Sequence, residues 1–191
     1  MNVYPIEAGN FKLDGGAMFG VVPKSLWTKT NPADADNMIE MSSRCMLVEN
    51  SDKLILVDTG MGDKHSEKFF KYYKRWGNDN LVKSINSAGF SIDDVTDVLL
   101  THLHFDHCGG AVTWDSSKEA YDVLFKNANY WSNEKHWGWA TNPNPREKAS
   151  FLDENLFPIK ESGQLKFISN MSKGFNYCEE LGLEILCVDG H

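Results

Sequence analysis

The chain has 191 residues, 41% of them hydrophobic and 24% charged, with a net charge of -8. Those values suit one globular domain with a sizeable core and exclude a disordered or fibrous polypeptide. No Lys/Arg run or stripe accompanies the acidic excess, which argues against a nucleic-acid partner, and no apolar run nears the ~20 residues of a membrane span.

In chain order, residues 3–8 alternate loosely and predict an edge strand. The stretch 13–27 is glycine-rich and carries Met18, Phe19 and Trp27 without helical or strand periodicity. Gly15 and Gly20 have the spacing of a phosphate loop, but Val21 stands where Lys-Ser/Thr would follow, so that reading fails. An apolar loop of this kind either packs into the core or lines a hydrophobic pocket. Residues 28–37 read as surface loop around Asn31-Pro32. Two apolar runs, 44–49 and 54–57, are joined by a polar turn and predict a hairpin.

Asp58-Thr-Gly60 follows directly, and on its own Asp58 could simply form a turn. Helices are predicted over 64–76 and 79–88, the second ended by Gly89. Ser91 to Asp94 fits a capping box before an apolar, β-branched strand at 95–100. Further on, 128–132 reads as a short strand and 133–140 as an aromatic-rich helix. Pro145 suits the first turn of a helix running to Leu156. Strands are predicted over 165–169, 175–179 and 183–188. His65 reads as solvated and His136 as a packed or rim residue. No repeat, low-complexity segment or linker appears, so residues 1–191 are read as a single domain.

The chemistry concentrates in Thr101-His-Leu-His-Phe-Asp-His-Cys-Gly-Gly110. This segment holds three of the six histidines, His102, His104 and His107, together with Asp106. Imidazole and carboxylate are the usual ligands of zinc and similar divalent metals. On an extended segment His102 and His104 point to the same side, whereas Asp106 and His107 lie past a bend, so a second ion beside the first is expected. The loop follows a predicted buried strand, the usual place for ligands in α/β folds. Cys108 is read as small packing volume.

The His102-x-His104-x-Asp106-His107 pattern resembles the signature of the metallo-β-lactamase superfamily, hydrolases with an αββα sandwich. The resemblance implies that Asp58 orients a metal-bound histidine without touching metal, and that His191 is the third histidine of the first ion. Nothing follows His191 to supply the remaining ligands of that pattern, so a fold truncated after its first half is expected. The Asp14–Lys24 loop, the 101–107 segment and the 144–156 block further resemble the quorum-quenching N-acyl-homoserine lactonase branch, near the methyl parathion hydrolases. That favours a substrate-pocket role for Met18, Phe19 and Trp27.

The activity so implied is opening of an acyl lactone by hydroxide generated between two divalent ions, zinc on ligand type, with manganese, iron or cobalt sharing such sites. Asp106 would be both ligand and catalytic acceptor of a hydrogen bond from the nucleophile. Phosphotriesters or other esters are the alternative substrates. A di-iron oxidoreductase and a non-catalytic metal-binding protein are the competing classes. The partner is then a small-molecule ester or lactone, with a homodimer open. Four scattered cysteines, no Cys-x-x-Cys pair and no signal-peptide pattern point to the cytoplasm.

Overall fold

Leu54 and Leu56 turn to one side of their strand and Ile55 and Val57 to the other, and that alternation gives the central sheet two packed faces. The computed structural model describes residues 1–168 and 174–188. Strand β1 (Asn2–Asp14) leads into two short helices, α1 (Gly15–Phe19) and α2 (Lys24–Trp27), before the hairpin of β2 (Met38–Asn50) and β3 (Lys53–Val57). Helices α3 (Glu67–Lys71) and α4 (Leu81–Ser87) precede β4 (Asp97–Leu99) and the single turn α5 (Phe105–Cys108). A small hairpin, β5 (Val112–Trp114) and β6 (Tyr121–Val123), is followed by β7 (Asn129–Ser132) and α6 (Glu134–Ala140). Then come α7 (Asp153–Glu161), β8 (Leu165–Phe167), β9 (Gly174–Cys178) and β10 (Leu183–Cys187).

The main sheet has the order β1-β2-β3-β4-β7-β8. It is antiparallel from β1 to β3 and parallel from β3 to β8. On one face Leu47, Leu56, Val98 and Tyr130 pack with Ile85 of α4 and Leu156 and Ile159 of α7. On the other, Val48, Ile55, Leu99 and Trp131 meet Cys178 and Leu181 at the β9–β10 hairpin. Burying each of these large side chains contributes ~1.5–3 kcal/mol. This is the layered α/β architecture expected, with β1 at the sheet edge as foreseen.

Register decides where the chemistry falls. Val57 pairs with Leu99, and Leu99 with Trp131, so three parallel strands end level. Asp58, the 101–107 segment and the start of α6 therefore emerge side by side. At the opposite end Asp97, 1% exposed, is satisfied by the Trp131 indole N–H at 2.7 Å and the Lys53 ammonium at 3.2 Å. That network keeps a buried charge paired and pins the same three strands from behind.

Several expectations need correction. The predicted helix at 64–76 is a single turn, Glu67–Lys71, capped by Ser66; Phe69 and Tyr73 pack on Phe105, and the chain turns away at Lys74, φ 40°. Residues 145–150 are turns and not a helix; Asn144 accepts the Arg146 and Glu147 amides, and the helix forms only at Asp153–Glu161. The reason is tertiary: Phe151 is buried and the Ser150 carbonyl accepts the Phe105 amide, so this stretch is drawn onto the loop after β4. The His65 side chain is 5% exposed and packs on Phe69, so it is not solvated. The β5–β6 hairpin was not foreseen.

Candidate metal centre

Asp58 begins the construction. It leaves β3 with φ 59°, a left-handed conformation that Asp tolerates better than most residues. That turn directs its carboxylate back over the end of β4. There it accepts the Thr101 amide at 2.8 Å, the Thr101 hydroxyl at 2.8 Å and the His107 Nδ1–H at 2.8 Å. His107 thus has its Nδ1 occupied and Nε2 available on the far side.

The segment after β4 is extended, and its alternate amides are each held from outside. Thr101 N–H goes to Asp58 at 2.8 Å, Leu103 N–H to His136 Nε2 at 3.0 Å, and Phe105 N–H to the Ser150 carbonyl at 2.9 Å. In an extended chain the residues between those amides share one side. His102 and His104 accordingly stand edge to face with ring centroids 4.6 Å apart, and His107 lies 3.9 Å from His102. The turn α5 brings His107 Nε2 to 3.6 Å from Asp106 Oδ2.

Two loops then lock together through their backbones. The Thr59 amide donates to the His107 carbonyl at 2.8 Å, and the Gly110 amide to the Gly60 carbonyl at 2.9 Å. A Cβ on Gly109 would lie 2.3 Å from the Met61 oxygen, and one on Gly110 2.2 Å from the Thr59 oxygen, so only glycine fits. Buried Lys64 donates to the Gly109 carbonyl at 2.5 Å, and burial brings its pKa down to about 8.

Electrostatics follow the geometry. Burial opposes the charged form of His107, but the Asp58 hydrogen bond and the Asp106 and Asp58 charges outweigh it, so its pKa lies above the ordinary value. Burial pushes the Cys108 thiol up to about 12, and its Sγ–H donates to the Leu103 carbonyl at 3.3 Å. Cys108 is therefore packing, as read. A cavity of about 110 Å³ reaches Asp58, Asp106 and His107, walled by Phe11, Met41 and Cys45. A larger one, about 260 Å³, lies beyond Phe11 and Ser43, away from the imidazoles.

The profile of the Metallo-beta-lactamase superfamily matches residues 39–167, which contain Asp58, the 101–110 segment, His136 and Phe151. The chain belongs to the metallo-β-lactamase superfamily. It is 32% identical over 84 residues to an N-acyl homoserine lactonase of Bacillus cereus, covering 39% of this chain and 34% of that protein. It is 31% identical over 108 residues to a "probable metallo-hydrolase" of Mycobacterium bovis, covering 49% and 35%. A "probable metal-dependent hydrolase" from Staphylococcus aureus superposes with TM-score 0.79 at 30% identity, covering 92% of this chain and 60% of that one. A dizinc quorum-quenching lactonase, AidC, solved with an N-hexanoyl-L-homoserine product, gives TM-score 0.64 at 25% identity, covering 91% and 61%. The matched chain thus spans about a third of these curated relatives' length and about 60% of the solved chains.

The metals of this superfamily can be tested against the donor set. Two ligand atoms ~2.1 Å from one tetrahedral ion lie ~3.4 Å apart. His107 Nε2 and Asp106 Oδ2, at 3.6 Å, fit that spacing, and the His102 and His104 rings, with centroids 4.6 Å apart, stand beside them. Among the described residues no group of three or more His, Cys, Asp or Glu is placed to hold an ion. His191 lies outside the described residues.

Met18, Phe19 and Trp27 are not brought to the imidazoles by any contact described. Phe19 stacks on Trp27 with centroids 4.9 Å apart, and Trp27 is 5% exposed, against Gly15. Met18 is exposed. Sequence reasoning missed His136, Phe151 and Lys64 as parts of the site. For His136 a signal existed: Asn133-x-x-His136 just after a strand is a helix cap, and Asn133 Oδ1 does accept the His136 amide at 3.1 Å.

Proposed function

We propose that this chain carries most of the metal-binding apparatus of a hydrolase that opens acyl lactones. The reading rests above all on the paired use of His107, with Nδ1 held by Asp58 at 2.8 Å and Nε2 3.6 Å from the Asp106 carboxylate. That is how a protein fixes the tautomer of a ligating histidine. His102 and His104 would hold one ion with His191 as third imidazole; Asp106 and His107 would hold the other. Bound there, two divalent ions supply Lewis-acid polarisation of a carbonyl and a water acidic enough to react at neutral pH.

The chain's own residues do the rest. Asp58 keeps His107 in the Nδ1–H tautomer and ties it to Thr101. Asp106 accepts a hydrogen bond from the attacking water and orients it. Phe11 and Met41 wall the small cavity and limit water around the reacting carbonyl. A lactone is favoured over other esters by the Bacillus cereus relative and by the product in AidC.

Steady-state rates of the full-length protein on an N-acyl-homoserine lactone, a phosphotriester and a simple aryl ester, with metal content by elemental analysis, test this. Lactone turnover well above the other two, with divalent metal bound, is expected. Turnover of the phosphotriester alone would overturn the lactone assignment, and turnover of nothing by metal-loaded protein would overturn the hydrolase.

A further inference from the structure

We propose that His136 is a positioning residue of the metal loop: by accepting the Leu103 amide it sets the separation of the two imidazoles on either side. For its consequence the proposal rests on the metal-binding reading above; its observation is independent. Leu103 is fully buried and stands directly between His102 and His104. Its amide reaches His136 Nε2 at 3.0 Å, so this nitrogen serves as acceptor and the neutral ring carries its proton on Nδ1. A lone pair engaged by an amide is not offered to an ion, so His136 is not itself a ligand.

The placement is built in from three directions. β4 and β7 are parallel neighbours in register at Leu99 and Trp131, and the Leu100 amide donates to the Trp131 carbonyl at 3.0 Å. The residues leaving both strands must therefore run alongside one another. Asn133 caps α6 and holds the His136 amide at 3.1 Å, which points the first turn toward the loop. Phe151, 6% exposed, fills the gap behind: its ring centroid is 4.8 Å from that of His104 and 5.9 Å from that of His136. Phe151 arrives there because the neighbouring Ser150 carbonyl takes the Phe105 amide at 2.9 Å.

Of the alternate amides held from outside, the central one thus finds its acceptor in a side chain of α6, the helix that follows β7. Removing that acceptor leaves the buried Leu103 amide without its partner, in a segment otherwise held by the Thr101 and Phe105 amides and by the Cys108 thiol on the Leu103 carbonyl, so the stretch where both imidazoles sit shifts to satisfy it. Partners that orient metal ligands typically carry 10- to 100-fold in affinity.

The test uses His136→Gln, whose side-chain carbonyl can still accept, and His136→Leu, which cannot. Cobalt(II) affinity by chelator competition and the visible d–d spectrum are measured on the full chain, alongside the apo-protein melting temperature. The expected result is about tenfold weaker cobalt binding and an altered spectrum for Leu, with Gln within roughly threefold of the parent and spectrally unchanged. Cobalt bound equally well by parent and Leu variant would overturn the proposal while leaving the metal site standing, as would equal losses in both variants. A parent that binds no cobalt would overturn the metal reading and this proposal with it. Should the Leu variant not fold, Gln decides alone: parental affinity and spectrum sustain the proposal, and their loss refutes it.

Discussion

Two glycine-rich regions invite comparison, the crossing loops at 58–62 and 107–110 and the amino-terminal loop at 14–27. In the first, the missing Cβ of Gly109 makes room for the Met61 backbone oxygen and that of Gly110 for the Thr59 backbone oxygen. In the second, a Cβ on Gly15 would meet the Trp27 ring at 2.5 Å, and a side chain of the same loop is what fills the space. One region is a contact between distant parts of the chain that fixes His107. The other folds on itself, through Trp27 and its stack with Phe19. Backbone against backbone cannot yield, whereas a ring can turn.

The largest effect should come from Gly110→Ala, because the Thr59 carbonyl has nowhere to go. We expect a loss of about 3 kcal/mol or more by denaturant unfolding, together with loss of metal binding. Gly15→Ala, by contrast, should cost about 1–3 kcal/mol as Trp27 shifts, with metal affinity intact; equal costs at both glycines would erase the distinction between the loops.

Asp58→Asn keeps the shape of the turn after β3 but removes the charge that holds His107 and Thr101. Metal affinity should fall about 10- to 100-fold, with a smaller change in melting temperature. A variant that binds metal as the parent does would show that the crossing loops alone suffice.

Next comes a pH effect beside the crossing loops. Burial, with the adjacent Lys64, brings the pKa of His65 down to about 4, despite Glu154 at 3.6 Å and Asn155 nearby. A histidine depressed in the folded state takes up its proton more readily when unfolded. Its neutral form contributes stability that is complete above ~6.5, the unfolded value, and lost as pH falls toward the folded one. Parent stability should therefore fall, relative to His65→Phe, with a slope approaching ~1.4 kcal/mol per pH unit within that window. Parallel pH curves for the two proteins would refute the assignment.

The smallest effect is a control. A Cβ on Gly138 of α6 meets nothing within 4 Å, so Gly138→Ala should stabilise by about 0.5–1 kcal/mol through helix propensity. A loss there would mean that α6, and with it His136, is held more tightly than its exposed face indicates.

Local rules made much of the fold legible. The apolar runs around the hairpin became β2 and β3, and Ser91 with Asp94 formed its capping box, both amide and hydroxyl of Ser91 reaching the Asp94 carboxylate. What failed did so for a shared reason. Helix signals at 64–76 and 145–156 were real in composition, but Phe69, Tyr73 and Phe151 were wanted elsewhere, against Phe105 and His104. Tertiary packing overrode propensity at both places.

The sequence by itself determined the ligand inventory: three imidazoles and a carboxylate within six residues at a strand end, because side-chain chemistry and short-range spacing are written directly in the chain. Only the tertiary structure decided what holds them. Which partner takes each loop amide, and why Gly109 and Gly110 admit no side chain, depend on strands that end level and on backbones approaching from some fifty residues away. Distances of that kind follow from register and packing, and neither is visible in a window of residues.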